Sequence, residues 1–246
     1  MATIAFIQFV MKKTLSTAAI AIAASFGIAS TTHAEPLRYD YTATLTSIRE
    51  QSSQVTFIDA VNILGHDIAN GAKVTGRMSY DSATPRTPFP DYEIPGQLHR
   101  YEYGVQSNTI TADFEGGLSF QSGFWPNTSL SGTSILVANN WFGDMFELLG
   151  LAFGADGSNQ SVGLTLQDPT QMAFDTTDLP SLPDLGAFRN TLFRYTYTDA
   201  DRQMTYTLDG EITSLTAIPE PASALLMLSG LGMLAAVRRR KTAGAK

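Results

Sequence analysis

From residue 37 to residue 217 the chain alternates apolar and polar side chains with a period of two. In LRYDYTATLTS, Leu37, Tyr39, Tyr41, Ala43 and Leu45 fall on one face, and Arg38, Asp40, Thr42 and Thr44 on the other. Residues two apart share a face only on an extended strand, so this pattern excludes a helix. The runs AKVTGRMSYD, HRYEYGVQ, NTITADFE and GLSFQS continue it, followed by TSILVAN, FELLGLAF, VGLTLQD, LFRYTYTD, QMTYTLDG and EITSLTAI. They read as about a dozen short strands rich in Thr, Tyr, Phe and Val, separated by Gly, Asn and Asp. A polar turn at Asp81-Ser82 ends the first of these runs, and Gly116-Gly117 marks a hairpin. No stretch of helical length carries a 3.6-residue stripe outside the two ends of the chain. The predicted fold is all-β: one antiparallel β-sandwich or jelly-roll-like domain over 35–217, without a linker that would divide it.

Two stretches interrupt the alternation. ATPRTPFPDYEIPG holds Pro85, Pro88, Pro90 and Pro95, too many for a hydrogen-bonded ladder, and is predicted to be a surface excursion. DPTQMAFDTTDLPSLPDLGAF, with Pro169, Pro180 and Pro183, is predicted to cross between sheets.

Charge separates the middle from the ends. Residues 35–217 hold 22 acidic and nine basic side chains, a net charge of −13, although the whole chain carries only −7. No basic stripe exists to displace counterions from a polyanion, so nucleic acid is excluded as a partner of the domain. Charged residues make up 16% of the chain, below the usual quarter, which suits an extracytoplasmic β-rich protein. The absence of cysteine removes disulfides, thiolate metal sites and cysteine nucleophiles together.

MKKTLSTAAIAIAASFGIASTTHA, residues 11–34, has the three parts of a secretory signal. Lys12 and Lys13 form the positive region, 15–29 the apolar region, and Thr32 and Ala34 the small side chains that a shallow peptidase pocket accepts before Glu35. Residues 1–34 are therefore expected to be a signal peptide and signal helix, with Met11 as an alternative start. A permanent N-terminal anchor is the weaker alternative, because the apolar region is short.

The other end runs IPEPASALLMLSGLGMLAAVRRRKTAGAK from Ile218. As a helix, the apolar stretch 222–237 would rise about 24 Å, short of a bilayer core of about 30 Å. Arg238, Arg239, Arg240 and Lys241 would stay on the cytoplasmic side, followed by a short tail, 242–246. Pro219 and Pro221 hold the segment before it extended. Pro219-Glu220-Pro221, a short apolar helix and an arginine cluster, in that order, resemble the PEP-CTERM sorting signal of Gram-negative bacteria. The resemblance covers 218–241. It implies signal peptidase and exosortase as partners, and transient anchoring in the inner membrane by 222–237. It also implies release to the cell surface or an exopolysaccharide matrix. A plain tail anchor is the alternative.

Chemistry is harder to find. His66 and His99 lack metal-ligand spacing, and no nucleophile elbow, dinucleotide fingerprint or phosphate loop is present. Carboxylates abound, and a glycosidase needs only two facing one cleft. Asp91, Glu93, Glu102 and Glu147 are the candidates, and Glu147 would have a raised pKa if buried among its apolar neighbours. On an alternating strand it points outward instead. GADGSNQ and DTTD could offer oxygens to calcium, but read better as solvated turns. Trp125 and Trp141, beside Phe124 and Phe142, could stack on sugar rings or pack in a core. No cofactor and no metal is expected. The sequence favours an exported, non-enzymatic surface or matrix-associated β domain, with a secreted glycosidase using a carboxylate pair as the alternative.

Overall fold

In a computed structural model, the described residues are 36–86, 94, 97–101, 108–122, 132–154, 157–182 and 184–219. The first strand, β1 (Leu37–Gln51), carries the alternation as predicted. Tyr39, Tyr41, Ala43 and Leu45 are buried, Arg38 and Asp40 are exposed, and Thr42 and Thr44 are half-buried. The period slips once. Pairing with the last strand shifts between Leu45 and Ser47, and the next inward side chain is Ile48. An extra residue at this bulge bends the strand and keeps an apolar face inward beyond it.

The remaining strands are β2 (Val55–Ile58), β3 (Ala60–Ile63), β4 (His66–Ala69), β5 (Lys73–Tyr80), β6 (Leu98–Tyr101) and β7 (Thr109–Phe114). They are followed by β8 (Ser119–Gln121), β9 (Gly132–Ala138), β10 (Asp144–Phe153), β11 (Asn159–Asp168), β12 (Asn190–Asp199) and β13 (Met204–Ala217). A 3₁₀ turn at Leu185–Ala187 is the only helical element among the described residues. The predicted hairpin joins β7 to β8, with Gly117 at φ +87°. The strands β2, β3 and β4 escaped the sequence reading because their side chains are largely exposed and alternate weakly.

Eleven strands form one antiparallel sheet in the order β6-β9-β10-β11-β12-β13-β1-β5-β7-β8, with β2 pairing the distal part of β1. Among the described residues only the β3–β4 hairpin stands apart from it. The all-β, antiparallel expectation therefore holds, but the two layers expected of a sandwich are limbs of a single curled sheet. QMTYTLDG and EITSLTAI, read as two strands, are one. Gly210 is not a turn: a Cβ there would lie 2.7 Å from the Thr44 carbonyl oxygen, so glycine lets β1 and β13 approach and continue together.

The limbs close on an aromatic core. From β7, Phe114 meets Phe193 and Tyr195 of β12 edge-on, at 5.9 and 5.1 Å between centroids. Phe120 of β8 adds a contact to Tyr195, and Tyr80 of β5 packs on Phe146 of β10. Each such fully buried aromatic contributes roughly 2–3 kcal/mol by removal from water.

The Pro-rich stretch after β11 covers one end of this core rather than crossing between two sheets. Three core tyrosines hold its backbone: the Tyr101 hydroxyl donates to the Thr177 carbonyl and that of Tyr80 to the Pro180 carbonyl, both at 2.5 Å. The Leu182 N–H donates to the Tyr39 hydroxyl at 2.9 Å. Phe174 and Phe188, buried and 5.9 Å apart, fill the space beneath.

Candidate functional site

At that covered rim, two loops present apolar side chains to solvent. The β9–β10 loop, 139–143, exposes Phe142 by 84% beside half-buried Trp141, and the loop after β11 exposes Met172 by 85%. Trp141 and Phe142 meet edge-on, 5.5 Å apart. Core packing, one of the two readings the sequence allowed for this pair, does not describe Phe142.

The backbone beneath these tips is unusual. Asn140, Phe142 and Gln171 have φ of +59°, +54° and +61°, a left-handed region that a bulky residue such as phenylalanine seldom occupies. Such conformations cost about 1–3 kcal/mol each and persist only where surrounding structure imposes them. Two buried carboxylates hold the backbone around them here. Asp144 accepts the Asn140 N–H of its own loop at 3.0 Å, and the Ala173 and Phe174 N–H groups of the other at 2.8 and 2.9 Å. Asp168, opposite it in register, accepts the Thr170 and Met172 N–H groups and the Thr170 hydroxyl. Those hydrogen bonds hold the Asp168 carboxyl below the usual carboxylate range. Gly143, at φ +125°, lets the loops touch, since a Cβ would meet the Asp168 carbonyl oxygen at 2.9 Å. The sequence reading did not single out either aspartate. Asp168-Pro169-Thr170 does carry an Asx-turn signature that could have revealed one of them.

The chain also leaves the domain at this rim. Tyr39 pairs with Ala217, and the Ile218 N–H donates to the Arg38 carbonyl at 2.8 Å. Hydrogen bonding thus runs up to the residue before Pro219, which is exposed. Beyond Glu211, β13 pairs with β1 alone.

On the outer face of β10–β13, Glu147 lines a depression of about 230 Å³ with Ser161, Gly163, Thr165 and Arg194. Burial pushes its carboxyl up, against the opposing pull of Arg100, Arg194 and a Thr165 hydrogen bond. Further along, Asp209 accepts from Arg49 and Arg194, each at 2.6 Å. Among the described residues, the next carboxylates on this face, Asp209 and Glu211 of β13, are three strands from Glu147, roughly 14 Å between backbones at the usual strand spacing. Glycosidase pairs span about 5 to 9.5 Å.

Among known families, residues 217–241 match one, described as the PEP-CTERM protein-sorting motif. The chain carries a PEP-CTERM protein-sorting motif. No curated protein and no solved structure matches the chain. The PEP-CTERM match begins at Ala217, the last residue of β13, so the sheet leads into the motif without an intervening linker. It implies export and handling by exosortase.

Of the motif's residues only Ala217, Ile218 and Pro219 are described. Glu220, Pro221, the apolar stretch 222–237 and Arg238, Arg239, Arg240 and Lys241 lie outside the described residues, as do Thr32 and Ala34 of the signal and its expected helix. No helix among the described residues is long and apolar enough to cross a membrane. Asp91, Glu93, Glu102, Phe124 and Trp125 are likewise outside them. His66 Nδ1 is 3.2 Å from the Gly116 carbonyl, while buried His99 bonds the Thr177 hydroxyl at 2.8 Å. Asp178 of DTTD pairs with Arg86.

Proposed function

We propose that this chain is an exported, non-enzymatic β protein of the cell surface or exopolysaccharide matrix, sorted through its PEP-CTERM motif. Signal peptidase cuts after Ala34. The 222–237 segment then holds the precursor in the inner membrane, and exosortase cuts near Pro219, Glu220 and Pro221. The observation that carries this reading is the junction of β13 with the motif: the sheet's hydrogen bonding runs up to Ile218 and an exposed proline follows. Arg238, Arg239, Arg240 and Lys241 keep the removed end inside the cell. Mass spectrometry of C-terminal peptides from the extracellular fraction tests it. Mature protein is expected to lack residues 238–246; an intact segment there would reduce the motif to a tail anchor.

A secreted glycosidase is the second reading, favoured by the half-buried Glu147 carboxyl with its raised pKa. The roughly 14 Å to Asp209 and Glu211 weighs against it. Asp144 and Asp168 are closer together, but their oxygens are occupied by loop N–H groups. Turnover of a polysaccharide that Glu147→Gln abolishes would make the glycosidase the better reading.

A further inference from the structure

We infer that Trp141, Phe142 and Met172 form a lipid-contacting tip that lays the covered rim of the domain against the bilayer holding the precursor. The inference rests on the reading of 222–237 as a membrane segment and adds to it the orientation of the folded domain.

Topology supplies the first observation. β13 ends at Ala217 beside the start of β1. Following the antiparallel pairs outward, β12 starts, β11 ends at Asp168 and β10 starts at Asp144 on this same rim. Both exposed tips therefore belong to the rim from which the chain departs: across the sheet, the tip after β11 is two strand spacings from β13 and the tip before β10 three, roughly 10 and 14 Å.

Tether length supplies the second. Ile218 is held by Arg38, and the apolar run begins at Ala222. Four residue steps span at most about 14 Å when fully extended. A domain so closely tied cannot stand far from the surface its tail enters, and the rim is the part brought to that surface.

The third observation is the chemistry of the tips. Phe142 and Met172 are 84% and 85% exposed on loops whose shape is set by buried aspartates. Aromatic side chains favour the bilayer interface, where the ring is apolar and the surroundings wet. The acidic domain, net −13, selects zwitterionic over anionic lipid, so the contact is apolar and not a basic patch.

The test uses the full chain with Trp125→Phe, leaving Trp141 as the single tryptophan, reconstituted in phosphatidylcholine vesicles with brominated acyl chains. Bromine placed near the headgroups should quench Trp141 at least twofold, more than bromine placed deep. Phe142→Ser with Met172→Ser should remove most of that quenching. Since the chain has no cysteine, Leu226→Cys labelled with an environment-sensitive dye reports tail insertion separately. Insertion of residue 226 with Trp141 unquenched, and still open to aqueous acrylamide, would overturn the tip alone. Residue 226 in water would sink both the tip and the membrane-segment reading. Protection of Trp141 by a neutral glucan in place of lipid would identify a sugar platform and overturn the inference. Phe142→Cys carrying the same dye in the otherwise native chain repeats the measurement: a blue shift in vesicles is expected, and its absence counts against the tip even if Trp125→Phe misfolds.

Discussion

Two acidic side chains three residues apart on β10 have opposite circumstances. Asp144 points inward at the rim, is fully buried, and accepts three backbone N–H groups that join two loops. Glu147 points outward among arginines, is half-buried, and bonds a threonine hydroxyl. An odd spacing along a strand separates the two faces of the sheet. What differs is the supply of donors. A carboxylate surrounded by otherwise unsatisfied backbone N–H groups organises structure, whereas one on an outer face with long, mobile cations contributes little net stability.

Removing Asp144 should have the largest effect. Asp144→Ala strips the acceptor from three N–H groups, two of them from the neighbouring loop, and is expected to cost about 3–5 kcal/mol. Urea unfolding measures the loss, and hydrogen exchange should quicken at Ala173 and Phe174. A change below about 1 kcal/mol would erase the contrast between the two sites. Next is the tyrosine cap. Tyr101→Phe removes the donor to the Thr177 carbonyl and should cost about 1–2 kcal/mol, read from the same unfolding curves.

A smaller effect, but one with a definite pH signature, is expected at Glu147. Its folded pKa is raised, so its contribution is complete below the unfolded value near 4.3 and is lost as pH rises through the folded value. Glu147→Gln should flatten that decline. Asp168 behaves oppositely: its folded pKa is lowered, so its contribution is present above about 3.9 and lost as pH falls through the folded value. Asp168→Asn should therefore flatten the acid side of the stability profile. The smallest effect is expected at the exposed Asp40–Arg77 pair, where Asp40→Asn should change stability by less than about 1 kcal/mol and lose even that in high salt.

The alternation that made β1 legible is a local consequence of burying one face of a strand, and it carried through most of the sheet. It failed where burial was slight, in β2, β3 and β4, and where one signal had two meanings. Gly210 looks like a turn glycine but serves a close approach between β1 and β13. The candidate tip was half legible. Trp141 and Phe142 stood out as aromatics, but an isolated sequence gives core and surface aromatics the same letters.

By itself, the sequence determined the strand faces, the Gly116-Gly117 hairpin, the acidic domain and the order of proline, apolar run and arginines that makes the C-terminal motif. These depend on neighbours within a few residues. Tertiary structure alone decided that one sheet curls into both layers, that two aspartates clasp two loops, and that Phe142 and Met172 share a rim with the departing chain. Those outcomes depend on pairings between residues far apart in the chain, such as Tyr39 with Ala217 and Asp144 with Asp168. A period-two pattern specifies which face is buried but not which strand is the neighbour.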